Sequence, residues 1–190
     1  MTNEPIPLAS TSDEEIHQRL AAVIAASLRI DPARVTPDAS LEDLGAASID
    51  LIEITMDLEH AFTVLMPERT VLQLASEVGA PGAFEQDGRL TALGADLLLA
   101  RMPAAVAGPI VEGMPVGQLK SAFLRVDAWH RVIRGLLEAT PRTCPTCGGR
   151  LEQGAPTQVR CRPCATQFDL PSGDDVGRAW VRRWLAERAT

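Results

Sequence analysis

The sequence predicts a mainly α fold that ends in a small cysteine-built module with short strands and a last amphipathic helix. Two observations carry that prediction. Apolar residues recur at helical spacing over 16–28, 51–62 and 116–137, the pattern of helices seated on a core. Four cysteines fall in two close pairs between residues 144 and 164, a spacing that suits metal ligands. Composition sets the bounds: 46% hydrophobic and 23% charged residues over 190 positions is ordinary for a globular chain of one domain, or one plus a small module.

Residues 1–12 lack period and read as a flexible tail. They hold no apolar signal core, so export is not expected. No apolar run approaches a membrane span, and a cytoplasmic chain is expected. Ser12-Asp13-Glu14-Glu15 is a capping-box pattern that opens a helix carrying Ile16, Leu20, Val23, Ile24 and Leu28, with Asp31-Pro32 as its stop. A polar loop with Pro32 and Pro37 follows, tucked down by Val35, Leu41 and Leu44.

Leu44-Gly45-Ala46-Ala47-Ser48 is a glycine turn into the most strongly patterned helix of the chain, which runs to about Thr63. Ser48 sits where an N-cap would. At helical pitch Leu51, Ile54, Leu58, Ala61 and Phe62 form a broad core face. Asp50, Glu53 and Asp57 form a separate acidic wedge, and Ile49, Ile52 and Met56 a second apolar ridge beyond it. A helix that only needed a core would not need both, so this face is built to be read by partners.

Further on, Pro67 to about Val78 and Leu90 to Met102 read as helices. Two Gly/Pro-bearing linkers follow them, 79–88 and 103–115. Val116 to Leu137 carries a long stripe that takes in Phe123 and Trp129 as core residues, and it allows a break near Arg125 to Asp127.

The segment around Ser48 resembles the acyl carrier proteins. Their attachment motif reads Leu-Gly-x-Asp-Ser-Leu-Asp, and it is matched here by Leu44, Gly45, Ser48, Ile49 and Asp50, continuing through Glu53, Met56, Leu58, Glu59 and Phe62. The residue before the serine, usually Asp in fatty-acid carriers, is Ala47. The resemblance implies an acyl-carrier-like four-helix bundle over residues 13–138, with 116–137 as the closing helix and about 80–114 as an insertion. It implies a 4′-phosphopantetheine arm on Ser48 that holds acyl groups for fatty-acid or polyketide-type biosynthesis. It implies docking through Ile49, Asp50, Ile52, Glu53, Met56 and Asp57. The partners implied are a phosphopantetheinyl transferase and acyl-transferring or condensing enzymes. An anion at that helix start would meet unpaired amides and the positive end of the dipole. Ile49, Met56 and Leu58, with the leucines of the first helix, would line a pocket sheltering the chain. An unmodified adaptor with the same fold is the alternative reading.

Cys144-Pro-Thr-Cys147 and Cys161-Arg-Pro-Cys164, thirteen residues apart, are two C-x-x-C knuckles. Four thiolates in two pairs are what tetrahedral zinc prefers, with no ligand position left open for catalysis. Residues 141–171 thus resemble a zinc ribbon, read as a structural staple. Residues 172–190 form an amphipathic helix carrying Val176, Trp180, Val181, Trp184 and Leu185, expected to pack on that ribbon.

No Ser/His/Asp or Cys/His arrangement points to an enzyme. The net charge of −7 is uneven: residues 1–80 hold 14 acidic and 4 basic side chains, and 81–190 hold 11 and 14. The acidic half disfavours nucleic acid and suits basic enzyme surfaces.

Overall fold

A computed structural model of the chain describes residues 12–102, 110–141, 143–153 and 157–189. The expected tail lies outside the described residues up to position 11, as does 103–109 of the second linker. The fold is mainly helical, with a carrier-like body and a small C-terminal sheet beside four clustered cysteines.

Helix α1 (Asp13–Leu28) begins where the sequence says it should. Glu15 N donates to Ser12 Oγ at 3.2 Å, and Ser12 N donates back to Glu15 Oε2 at 2.7 Å, which satisfies two donors at the helix start. It ends one turn before Pro32, at Arg29 with φ 54°. Helices α2 (Ser48–Phe62) and α6 (Val126–Ala139) pack against α1. Together they bury Ile16, Leu20, Ile24, Ile54, Leu58, Phe62, Ile133 and Leu136 in a first core. Val35, Leu41 and Leu44 close it from the loop below. Each such side chain stabilises the fold by roughly 1.5–3 kcal/mol before entropy is counted.

The stripe over 116–137 is broken as the sequence allows. A 3₁₀ turn at Val116–Leu119 and α5 (Lys120–Phe123) precede α6. The break lets this segment pair with the loop before Ser48: Leu41 N donates to Leu124 O at 2.9 Å, and Val126 N to Ala39 O at 3.0 Å. Phe123 and Trp129 are half-buried, and Trp129 Nε1 donates to Phe123 O at 3.1 Å.

Helix α3 (Val71–Val78) starts later than Pro67, because Thr70 and Gln73 form its capping box. Its buried Leu72 and Ala75 belong to a second core, built with residues of the insertion. There a two-stranded hairpin, β1 (Glu85–Gln86) and β2 (Arg89–Leu90), leads into α4 (Ala92–Arg101), capped by Thr91. Phe84, Leu90, Leu97, Leu98 and Met102 are buried there.

The last helix, α7 (Gly173–Arg188), is where the structure departs from the sequence reading. It does not pack on the cysteine module. It lies along α3 and also touches α6, and it delivers Val181 and Trp184 to the second core. Three contacts explain the choice. A β-carbon on Gly173 would sit 2.6 Å from Pro67 Cδ, so only glycine allows that approach. Asp174 is buried against the 68–69 turn. Arg188 stacks on Trp184, 4.6 Å from the ring centre, and pairs with Asp96 of α4.

Between α6 and α7 the chain forms β3 (Leu151–Gln153), β4 (Gln158–Cys161) and β5 (Gln167–Asp169), an antiparallel sheet in that order. Leu151, Val159, Leu170, Cys144 and Cys161 make its small core, with Leu65 of the helical body packed against it.

Candidate functional site

Ser48 is presented by a short, tightly wound turn. Leu44 N bonds to Ser40 O at 3.0 Å, Gly45 N to Glu42 O at 3.0 Å, and Ala46 N to Leu41 O at 2.9 Å. Gly45 takes φ +97°, a left-handed conformation open to glycine at little cost. Ser48 emerges exposed. The sequence suggested Ser48 as the N-cap of α2; it is instead the first residue of the helix, and Ala47 is the cap. Ala47 occupies the cap position and has no oxygen to offer, so the bond runs the other way: Ala47 N donates to Asp50 Oδ2 at 2.7 Å. The serine hydroxyl is therefore not engaged as a helix cap, and the first amides of α2 lie beside it.

The surrounding face divides as the pattern implies. Ile49, Ile52 and Met56 are 69%, 59% and 63% exposed, an apolar ridge that no part of the described chain covers. Glu53 and Asp57 are exposed beside it. Asp57 is nonetheless tied to α1 by Ser27 Oγ, which donates to it at 3.1 Å, and Asp50 is spent on Ala47. Of the acidic wedge, Glu53 has the freest carboxylate. The pocket sketched from sequence does not form: Leu58 is fully buried while Ile49 and Met56 point outward. A groove of ≈ 790 Å³ runs instead beside Ile52, Thr55 and Met56, bounded by the 65–68 turn, Thr157 of the cysteine module and the start of α7.

The family described as phosphopantetheine attachment site matches residues 18–80. An acyl carrier protein of Helicobacter pylori (strain J99 / ATCC 700824) is 36% identical over 76 residues, which is 40% of this chain and 96% of that protein. The chain belongs to the acyl carrier protein family. An acyl carrier protein of Rubrobacter xylanophilus is 46% identical over 56 residues, covering 29% of this chain and 69% of the relative. No solved structure matches the chain. Membership implies a phosphopantetheine arm on this carrier. The family match runs from within α1 through α2 and α3; the hairpin and α4 of the insertion, the cysteine module and α7 lie beyond it.

The carrier's second site is the cysteine cluster. The Sγ atoms of Cys144, Cys147, Cys161 and Cys164 all lie within 4.8 Å of one another, with 3.7 Å from Cys144 to Cys164 and 3.4 Å from Cys147 to Cys161. A tetrahedron with zinc–sulfur bonds of about 2.3 Å has edges of about 3.8 Å, so the donor set fits zinc. Backbone amides of Thr146, Cys147 and Gly149 in the first turn, and of Cys164 and Thr166 in the second, point at the sulfurs. Thr166 Oγ1, 3.2 Å from Cys164 Sγ, helps lower that thiol to about 6, whereas burial pushes Cys161 up to about 12. Among the described residues no helix is long and apolar enough to cross a membrane.

Proposed function

We propose that Ser48 carries the 4′-phosphopantetheine arm, and that the protein shuttles acyl intermediates between cytoplasmic enzymes of fatty-acid or polyketide-type biosynthesis without catalysing a reaction itself. The observation that carries this is the exposed Ser48 hydroxyl at the first residue of α2, free of capping duty and beside helix amides that favour an anion. In the attachment step Ser48 Oγ loses its proton and bonds to the phosphorus of coenzyme A that bears the pantetheine. The pyrophosphate P–O bond breaks, and the nucleotide half leaves. The arm's thiol supplies the thioester linkage to the acyl group.

The ridge of Ile49, Ile52 and Met56 gives a transferase or condensing enzyme an apolar seat. Glu53 and Asp57, with Asp50 at the helix start, orient basic partners around it. The four cysteines hold one zinc as a structural staple beside this face. Intact mass of the full chain after incubation with coenzyme A and a broad-specificity phosphopantetheinyl transferase tests the reading. One added arm on the wild type and none on Ser48→Ala is expected. A wild type left unmodified by several competent transferases would make the chain an adaptor.

A further inference from the structure

Outside Ser48 and the cysteines, the most unusual cluster is a pair of arginines over an apolar cleft. The cleft, of ≈ 260 Å³, opens between α3, α6 and α7, and its floor includes Leu74, Met102, Trp129, Val132, Leu136 and Val176. Arg101 and Arg131 line it too. The Arg101 guanidinium lies 5.0 Å from the ring centre of Trp180. Its Nη2 comes within 3.8 Å of where a β-carbon on Gly135 would sit. Arg131 stands one helical turn before Gly135, on the same face of α6, so the two guanidinium groups share one rim.

Neither arginine is in a salt bridge among the described residues. Burial, together with the neighbouring charges of Arg131 and Arg183, holds Arg101 below the ordinary arginine range, with Glu138 only partly offsetting them. Arg69, also on the rim, is engaged by Glu77 and Asp174. Glu68 adds a carboxylate to the lining, but Glu68 is exposed. Among the described residues the like charges over this apolar floor are met only by Glu138 and Glu68, both exposed and neither in a salt bridge with Arg101 or Arg131. A planar guanidinium matches a carboxylate best, and an apolar floor matches hydrocarbon.

We propose that this cleft binds an aliphatic carboxylate, with its chain on the apolar floor and its carboxylate on Arg101 and Arg131. An apolar cavity of about 150 Å³ takes benzene, so this cleft suits a chain of about eight carbons. Two sources share that chemistry. One is an acyl chain tethered at Ser48 whose far end bears a carboxylate, and this source rests on the reading of Ser48 above. Thr55 lies seven residues, about 10 Å, along α2 on the same face as Ser48. It lines both the groove beside α2 and the cleft, as do Met66, Pro67 and Glu68, so the two join into one track that runs from Leu51, about one helical turn past Ser48, to the arginines. The other source is a free fatty acid, which needs no Ser48.

The test titrates the full chain with octanoate and with octanol while following the indole N–H signals of Trp129 and Trp180 by NMR. Octanoate should bind at least about tenfold tighter than octanol. Arg131→Gln, at an exposed position that leaves folding intact, should remove most of that difference, and Arg101→Lys should keep part of it. In parallel, the chain is loaded at Ser48 with an octanoyl or an octanedioyl arm. If the cargo is tethered, the octanedioyl arm alone shifts the indole signals in a way that Arg131→Gln cancels. A free-acid preference without that shift assigns the cleft to free fatty acids. Failure of Ser48 to load refutes only the tethered source, since the free titration does not involve it. Equal binding of octanoate and octanol, with no arginine-dependent shift from either arm, overturns the proposal.

Discussion

Asp174, buried at the start of α7, accepts a hydrogen bond from Arg69 Nη1 at 3.1 Å across 105 residues of sequence. The same carboxylate accepts from the backbone amides of Glu68 and Arg69, at 3.0 and 3.2 Å. One side chain thus anchors the last helix to the turn before α3. Asp174→Ala would leave two amides without their acceptor and Arg69 with Glu77 alone, at a cost of about 2–4 kcal/mol. Urea denaturation should show the unfolding free energy falling by that amount, with a lower midpoint and an unchanged slope. An unchanged midpoint would mean that α7 is held by its apolar stripe alone.

On the outward face of α2, the two exposed acids should behave differently. Glu53→Lys should leave stability within about 0.5 kcal/mol of wild type. Asp57→Lys should cost up to about 1 kcal/mol more, because the bond from Ser27 of α1 is lost and Ser27 Oγ keeps only Val23 O as acceptor. Both should weaken binding to a phosphopantetheinyl transferase, and the loss should shrink with added salt as exposed charges are screened. Binding insensitive to both substitutions at low salt would rule out electrostatic reading of α2.

Removal of metal should act locally. The purified chain should contain one equivalent of zinc. Chelation or Cys161→Ser should unfold residues 143–170, because binding energy in such a site is folding energy. Helical circular dichroism should change little, since α1, α2 and α6 have their own core. Zinc affinity should also fall as pH drops, with protons competing for the sulfurs. Loss of the helical signal together with the metal would show that Leu65, packed between the two parts, couples them strongly.

The helix starts predict a response to acid. The backbone amide and hydroxyl of Ser12 hold Glu15 below the ordinary carboxylate range, and Ser172 Oγ, with Arg178 nearby, does the same for Asp175. Because the folded values are depressed, each carboxylate stabilises the fold above its unfolded pKa of about 4 and loses that contribution as pH falls through the lowered value. Melting temperature should therefore decline below about pH 4, and the decline should be shallower in Glu15→Gln. Parallel curves for the two proteins would remove Glu15 from the account.

Much of the geometry around Ser48 was legible because its determinants are local. Gly45, Ser48 and the stripe from Ile49 to Phe62 lie within one turn and one helix, so spacing alone separates the core face from the outward ridge. The two C-x-x-C pairs are readable for the same reason. The cap at Ala47 was missed because a serine at a helix start reads as the cap, whereas an aspartate three residues past the cap position does the work from inside the helix. The partner of α7 was not legible from its stripe. Trp180, Val181 and Trp184 say which side faces inward but not what they face. Gly173 and Gly177, four apart on that helix, were the available signal: both mark close approach, to Pro67 and to Leu74.

Helix α7 follows the cysteine module in the chain, yet it completes the core that α3 and α4 begin. As the chain leaves the ribosome, every fully buried residue of the first core has been made once Ala139 has emerged, so α2 can dock on α1 and α6 early, with only Val176 of α7 still to come. Leu72, Leu97 and Leu98 must wait, uncovered by α7, while the four cysteines are synthesised. Val181 and Trp184 arrive last. Order of synthesis thus separates two assembly events that the finished structure makes look simultaneous.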